Sequence, residues 1–215
     1  MPELPSTPVP APQRRRDLQK EQTRLDLALA AFELARTEGL ANLRVPQIAE
    51  SIGVSTRTFN NYFPSKEAAI VWPATLRGAQ LISNVDARPS GELLADALVE
   101  AVAGLYGPGS QDGLPKEWLG GFRALVATEP MLQGEYLKTQ AAGERALADA
   151  IARRTGAEPG SLRPLVLAGV VIAAERAAVL HWSGQSTRST RLIEVVRTAV
   201  ALATSGTAFT GITLR

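Results

Sequence analysis

The stretch Val45-Pro-Gln-Ile-Ala-Glu-Ser-Ile-Gly-Val-Ser-Thr-Arg-Thr-Phe-Asn-Asn-Tyr-Phe-Pro-Ser-Lys66 decides the fold, because it carries two short helical patterns on either side of one glycine. Pro46 is tolerated in a first helical turn, and Ile48 and Ala49 then share one face. Gly53 breaks the pattern, Val54 packs, and Ser55 is the residue type that caps a helix N-terminus. The second pattern runs to about Phe63, where Pro64 stops it. Two short helices joined by a tight glycine turn make a helix-turn-helix, whose second helix fits a DNA major groove. Ile48, Ala49, Val54, Phe59 and Phe63 hold the pair together. Thr56, Arg57, Asn60 and Asn61 are left on the outer face, with short or forked donors suited to base edges and phosphates.

Upstream, Leu25, Ala28, Leu29, Phe32 and Ala35 recur at three- and four-residue steps, which predicts a helix from Asp17 to Arg36 that Gly39 closes. Met1 to Pro12 hold five prolines and little that packs. Residues 1–16 are therefore expected to form a flexible arm, and Arg14, Arg15 and Arg16 are either a solvated charge run or a phosphate-contacting one. Downstream, Ser65 caps a long helix expected to reach about Asn84. Further helical patterns cover 92–106, 116–128, 130–155, 161–183 and 190–204, with a glycine- and proline-rich loop at 107–115. Neither sustained β alternation nor an internal repeat is found. The expected fold is all-α with about nine helices: an arm (1–16), a helix-turn-helix domain (17–66) and a ligand-binding and dimerisation body (67–215).

Composition narrows the function. Hydrophobic residues make up 45% of the 215, enough for a sizeable core. The chain has no cysteine and one histidine, His181, so disulfides, thiolate chemistry, zinc sites and Ser-His-Asp triads are not expected. No acid pair, nucleophile–base set or phosphate loop stands out either; no catalytic or metal-binding residue and no cofactor is assigned, and an enzyme is not expected. A net charge of +2 means that nucleic-acid binding rests on local clusters of charge. No secretion signal is visible near the start. Leu162 to Leu180 is apolar enough to suggest a membrane span, but it contains Arg163, Pro164, Glu175 and Arg176, so a buried helix and a cytoplasmic protein are expected.

From Leu25 to about Val71 the sequence resembles the TetR (tetracycline-repressor-like) family of transcriptional regulators, in its actinobacterial type. The resemblance is carried by the first-helix stripe ending in Gly39 and by Ile48-Ala49, Gly53-Val54-Ser55, Thr58-Phe59 and Tyr62-Phe63-Pro64-Ser65-Lys66-Glu67. It implies that Tyr62 and Lys66 bind phosphates, Lys66 at the positive end of a helix. It also implies that Ser55, Thr56, Arg57 and Thr58 lie near DNA. Two positions depart from the family pattern. Arg44 stands where a threonine cap is frequent and offers a phosphate contact in its place. Asn60 stands where an aromatic is frequent; it either reads adenine, bonds a phosphate, or is simply exposed, as Asn61 also could be. Gln47 completes the candidate DNA-contacting set.

In the C-terminal body, Gly169, Ala173 and Ala177 recur every fourth residue, and Leu192, Val195, Val196, Ala199, Leu202 and Ala203 form a stripe. These two faces suit a four-helix homodimer seam, or else packing within one subunit. Trp118, Phe122, Met131, Leu132 and Tyr136 either line a cavity or fill a core; of these, Trp118, Phe122 and Tyr136 are the candidate pocket walls. Glu175 and Arg176 are either paired structurally or provide one polar anchor for a ligand. His181 and Trp182 are expected to pack between helices. The functional expectation is a dimeric repressor on double-stranded palindromic operator DNA, released by a mostly apolar small molecule. The alternatives are an all-α ligand-binding or catalytic protein, and an architectural DNA-binding protein without an effector.

Overall fold

The computed structural model describes residues 12–107, 114–115, 118–184 and 191–205, with the backbone alone for 12–14. The proline-rich start of the expected arm and the expected helix start at Lys116 lie outside them. The described residues contain no strand. Helices α1 (Pro12–Glu38), α2 (Val45–Ser51), α3 (Thr56–Tyr62) and α4 (Lys66–Val71) belong to one compact unit that extends to Pro73. The second unit, from Ala74 onward, holds most of α5 (Pro73–Asp86). It also holds α6 (Leu94–Ala103) with a 3-10 turn at Gly104–Tyr106, α7 (Trp118–Thr128), α8 (Pro130–Thr155), α9 (Leu162–Ser183) and α10 (Leu192–Thr204).

In the first unit the buried face of α1 is Leu27, Ala28, Ala31, Phe32 and Ala35, while Leu25 and Leu29 sit at its margin. Helix α1 already runs from Pro12, so Arg14, Arg15 and Arg16 stand in its first turns rather than in an arm before it, and the Arg15 and Arg16 side chains are exposed. A proline costs nothing there, because a first-turn N–H has no helical partner. Gly39 closes the helix with φ +83°, and its N–H donates to the Ala35 carbonyl at 3.0 Å. Helices α2 and α4 pack against α1 and α3 against α2, burying Leu40, Leu43, Ile48, Ala49, Phe59, Phe63, Ala69, Ile70 and Val71.

The expected nine helical segments are present, with one divided. The long helix expected from Ser65 to Asn84 stops at Val71 and resumes at Pro73, giving ten α-helices among the described residues. Pro73 has no N–H to continue the ladder, and its ring clashes with the preceding turn. The Trp72 N–H still reaches the Ala68 carbonyl at 3.0 Å, so the interruption is confined to one residue. The break coincides with the boundary between the two units.

In the second unit, α6, α8, α9 and α10 close around Leu98, Val102, Leu147, Ile151, Val171, Val179, Val196 and Val200. Helix α8 ends at Gly156 in the left-handed region, φ +69°. Helix α9 is long and apolar enough to cross a membrane by length and composition. It is a core helix on one side only. Ala168, Val171, Ala178 and Val179 are buried, whereas Leu162, Val166 and Leu180 are 76%, 52% and 62% exposed.

Two features of the expected dimer seam are corrected. Val196 and Val200 of α10 are fully buried in their own subunit, and Leu192, Val195 and Ala199 pack on the same core, so that stripe is mostly spent within the monomer. Gly169 lies against α8, where a Cβ would meet Glu144 Oε1 at 2.8 Å, while Ala173 and Ala177 remain exposed.

Candidate functional site

Helix α3 is held by its own sequence. Ser55, in extended backbone, accepts from the Thr58 N–H at 3.1 Å, and the two hydroxyls lie 2.9 Å apart. Phe59 and Phe63 turn inward with ring centroids 5.8 Å apart, and Phe63 meets Trp72 edge-on at 6.0 Å. The Arg24 guanidinium of α1 covers both of the latter rings, 5.5 Å from Phe63 and 4.8 Å from Trp72. Such a cation over two aromatic faces fixes the angle at which α3 and α4 leave α1. With the inner face closed, Thr56, Arg57, Asn60 and Asn61 are exposed side by side, and Tyr62 is half-buried at the end of the helix.

The flanking candidates differ in how far the head already engages them. Arg44 is exposed in extended backbone just before α2. Gln47 is exposed as well, but its side chain is engaged: its Oε1 accepts from the Arg44 backbone N–H at 2.7 Å, and its Nε2 donates to Glu38 Oε2 at 3.3 Å. The Lys66 ammonium donates to the carbonyls of Leu40 at 2.6 Å and Leu43 at 2.8 Å, tying the start of α4 to the turn after α1. Two of its three N–H donors are thus spent inside the head, leaving one for a phosphate.

In the second unit a cavity of about 110 Å³ lies among α5, α6, α7, α8 and α9. Trp118 and Phe122 stack with centroids 4.6 Å apart and planes 14° apart, and Tyr136 meets Phe122 edge-on at 5.3 Å. Leu81, Val102, Leu105, Val171 and Ile172 complete the apolar wall. One corner is polar. Glu175 accepts a short hydrogen bond from the Tyr106 hydroxyl, and its Oε1 lies 3.4 Å from Arg123 Nη2. Arg77 stacks over the Tyr106 ring at 5.0 Å and reaches the Leu105 carbonyl at 3.4 Å. Burial pushes the Tyr106 phenol far above its ordinary range, and the Glu175 carboxylate adds to the effect. Burial also raises the Tyr136 phenol, against the opposing field of Arg123.

Of the expected ligand-binding residues, Trp118, Phe122, Tyr136 and Glu175 line this one cavity. Arg176 does not: one helical step of about 100° turns it from the cavity to the exposed side of α9. Leu132 is buried away from the cavity, and Met131 is exposed. His181 is exposed and Trp182 half-buried near the end of α9. The reading of the sequence missed Arg77, Arg123 and Glu144. Each is a charge on a helix whose inward face was drawn from apolar residues alone, so periodicity held no signal for them. Among the described residues no group of three His, Cys, Asp or Glu could hold a metal ion.

Comparison with known proteins follows this division into head and body. The family model for bacterial regulatory proteins of the tetR family matches residues 28–69, and the MftR C-terminal domain matches residues 88–208. The chain is 31% identical over 185 residues to the HTH-type transcriptional regulator TcmR of Streptomyces glaucescens, covering 84% of this chain and 81% of that protein. It is 28% identical over 158 residues to the mycofactocin biosynthesis transcriptional regulator MftR of Mycobacterium tuberculosis, covering 71% of this chain and 75% of the relative. A crystal structure of a TetR-family regulator from Rhodococcus sp. has the same fold, with a TM-score of 0.55 at 22% identity over 86% of this chain and 97% of that one. With both its reading head and its helical body matched, this chain belongs to the TetR family of DNA-binding bacterial transcriptional regulators.

Proposed function

We propose that the protein is a homodimeric repressor, working in the cytoplasm on a palindromic operator, and that a mostly apolar small molecule in the α5–α9 cavity releases it. The observation that carries this reading is the aromatic-walled cavity in a chain that also bears a reading head. An architectural DNA-binding protein has no use for an aromatic-walled, partly polar cavity in its body. A ligand favouring one conformation of the body draws the population toward it, and operator affinity falls by at most the ligand's differential affinity for the two conformations.

In this reading Thr56, Arg57, Asn60 and Asn61 face the major groove, and Arg44, Tyr62 and the third donor of Lys66 meet phosphates. Ser55, Thr58 and Gln47, hydrogen-bonded to neighbouring groups, brace the same surface. Two heads on one duplex call for half-sites about 34–36 Å apart or somewhat more. Footprinting near the protein's own gene tests the operator, and a small-molecule panel scored by operator release tests the effector. A protected palindrome released by a cavity-binding compound is the expected result. A panel that binds the cavity without shifting operator affinity overturns the effector reading.

A further inference from the structure

Glu144 brings to the cavity a carboxylate that no described residue meets with a hydrogen bond or an ion pair. Its side chain is half-buried, and neither of its oxygens is closed off. The other charged lining residues are engaged elsewhere: Arg123 lies on Glu175, which also holds the Tyr106 hydroxyl, and Arg77 covers the Tyr106 ring. That group gathers near Tyr136, whose phenol feels both Arg123 and Glu175. Glu144 follows Tyr136 by eight residues, about 12 Å along α8 at a rise of about 1.5 Å per residue. Glycine is less favourable than alanine inside a helix. At Gly169 of α9, however, a Cβ would come within 2.8 Å of Glu144 Oε1 and 3.6 Å of its carboxyl carbon, so the glycine leaves the carboxylate its seat.

A half-buried carboxylate without a partner has lost part of its hydration and gained nothing in exchange. It can only accept, so a ligand that answers it must bring N–H donors, and a positive charge makes those hydrogen bonds stronger. Size limits the remainder of the ligand. A water in the liquid takes about 30 Å³, so the cavity of about 110 Å³ has room for about four non-hydrogen atoms. Between Glu144 and the polar corner, the half-buried Ile172 and Tyr136 offer apolar surface to such a chain.

We propose that the cavity takes a small primary alkylammonium, whose ammonium donates to Glu144 and whose chain runs along Ile172 toward the Tyr136 ring. Glu144 is then the residue that determines specificity, and Gly169 positions it. This assignment rests on the reading of the cavity as the effector site. Calorimetric titration of the full-length protein with n-propylammonium, 1-propanol, propionate and tetramethylammonium at neutral pH tests it. n-Propylammonium is expected to bind about tenfold more tightly than 1-propanol, its uncharged analogue, and more tightly than either other ion. Tetramethylammonium carries the charge but has no N–H to donate. Glu144→Gln keeps the shape of the side chain and removes its charge; it brings the ammonium-to-alcohol ratio close to one and leaves 1-propanol affinity unchanged. Gly169→Ala displaces the carboxylate and lowers the same ratio with Glu144 still in place. Propionate or tetramethylammonium binding tightest, a ratio that survives in Glu144→Gln, or no binding by any probe overturns the proposal. A ratio that survives in Gly169→Ala alone overturns the role given to Gly169. Operator release is read separately. n-Propylammonium that binds with this ratio and leaves the operator complex intact refutes the effector reading alone, and propionate that binds tightest and releases DNA refutes the alkylammonium assignment alone.

Discussion

Lys66 shows how one side chain serves both the fold and the interface. Its ammonium closes on the Leu40 and Leu43 carbonyls, whereas the exposed Arg57 has no such internal duty. Lys66→Met is expected to lower stability by about 2 kcal/mol, since two carbonyls lose a charged donor. Arg57→Ala should stay within about 0.5 kcal/mol of the parent in thermal melts, while weakening operator binding. Equal melting temperatures for the two variants would show that the Lys66 tie contributes nothing. Tyr106 provides a second residue-level test. Its folded pKa is raised above the ordinary phenol value of 10.0, so the folded state holds that proton more tightly than the unfolded chain does. This contribution is fully present below pH 10 and fades as the pH rises beyond it. Denaturant titrations should therefore show stability falling above about pH 10, and falling less steeply in Tyr106→Phe; identical slopes would remove the assignment. The roles of Ser55 and Gly39 were legible in the sequence, because a cap and a left-handed stop are local chemistry. The partners of Lys66 were not: they lie 23 and 26 residues upstream, and the Tyr106–Glu175 bond spans 69 residues. Only the folded chain brings such groups together.

At the scale of elements, the interruption at Trp72 separates α4 from α5 by a single residue. Pro73→Ala restores the missing N–H and removes the ring clash, which should allow one continuous helix from Lys66 to Asp86. Hydrogen exchange should then slow at Trp72 and in the first turn of α5; unchanged exchange there would mean that something other than the proline holds the break open. The signal for it was present in the sequence, since a proline inside a helical pattern marks a boundary, but a strong apolar pattern on both sides masked it. The small-residue spacing of α9 was legible as a close-approach surface, yet the partner was not. Gly169 serves Glu144 of the same chain, and Ala173 and Ala177 stay open. Periodicity identifies which residues share a face of a helix; the neighbour that covers the face is set by tertiary packing.

At the scale of the whole molecule, the exposed face of α9 bears on assembly. Ala173 is exposed, so Ala173→Glu should leave the subunit folded while placing a charge in the proposed seam. The variant is expected to run as a monomer in light scattering and to lose about 10²–10⁴-fold in operator affinity, because two linked heads bind by effective concentration. A normal dimer would place the seam elsewhere. The division into an all-α head and body was readable from glycine, proline and apolar spacing, whereas the cavity was readable only as a set of aromatic residues whose packing the sequence left open. A lone subunit presents Leu162, Val166 and Leu180 to water on one helix. Quality-control chaperones and proteases capture apolar stripes of this kind, so, if the proposed dimer covers this one, an unpartnered chain is expected to be shorter-lived than an assembled one. As growth dilutes the protein, the fraction of free subunits would rise and degradation would add to dilution, so the level of the regulator would follow the rate at which new copies are made.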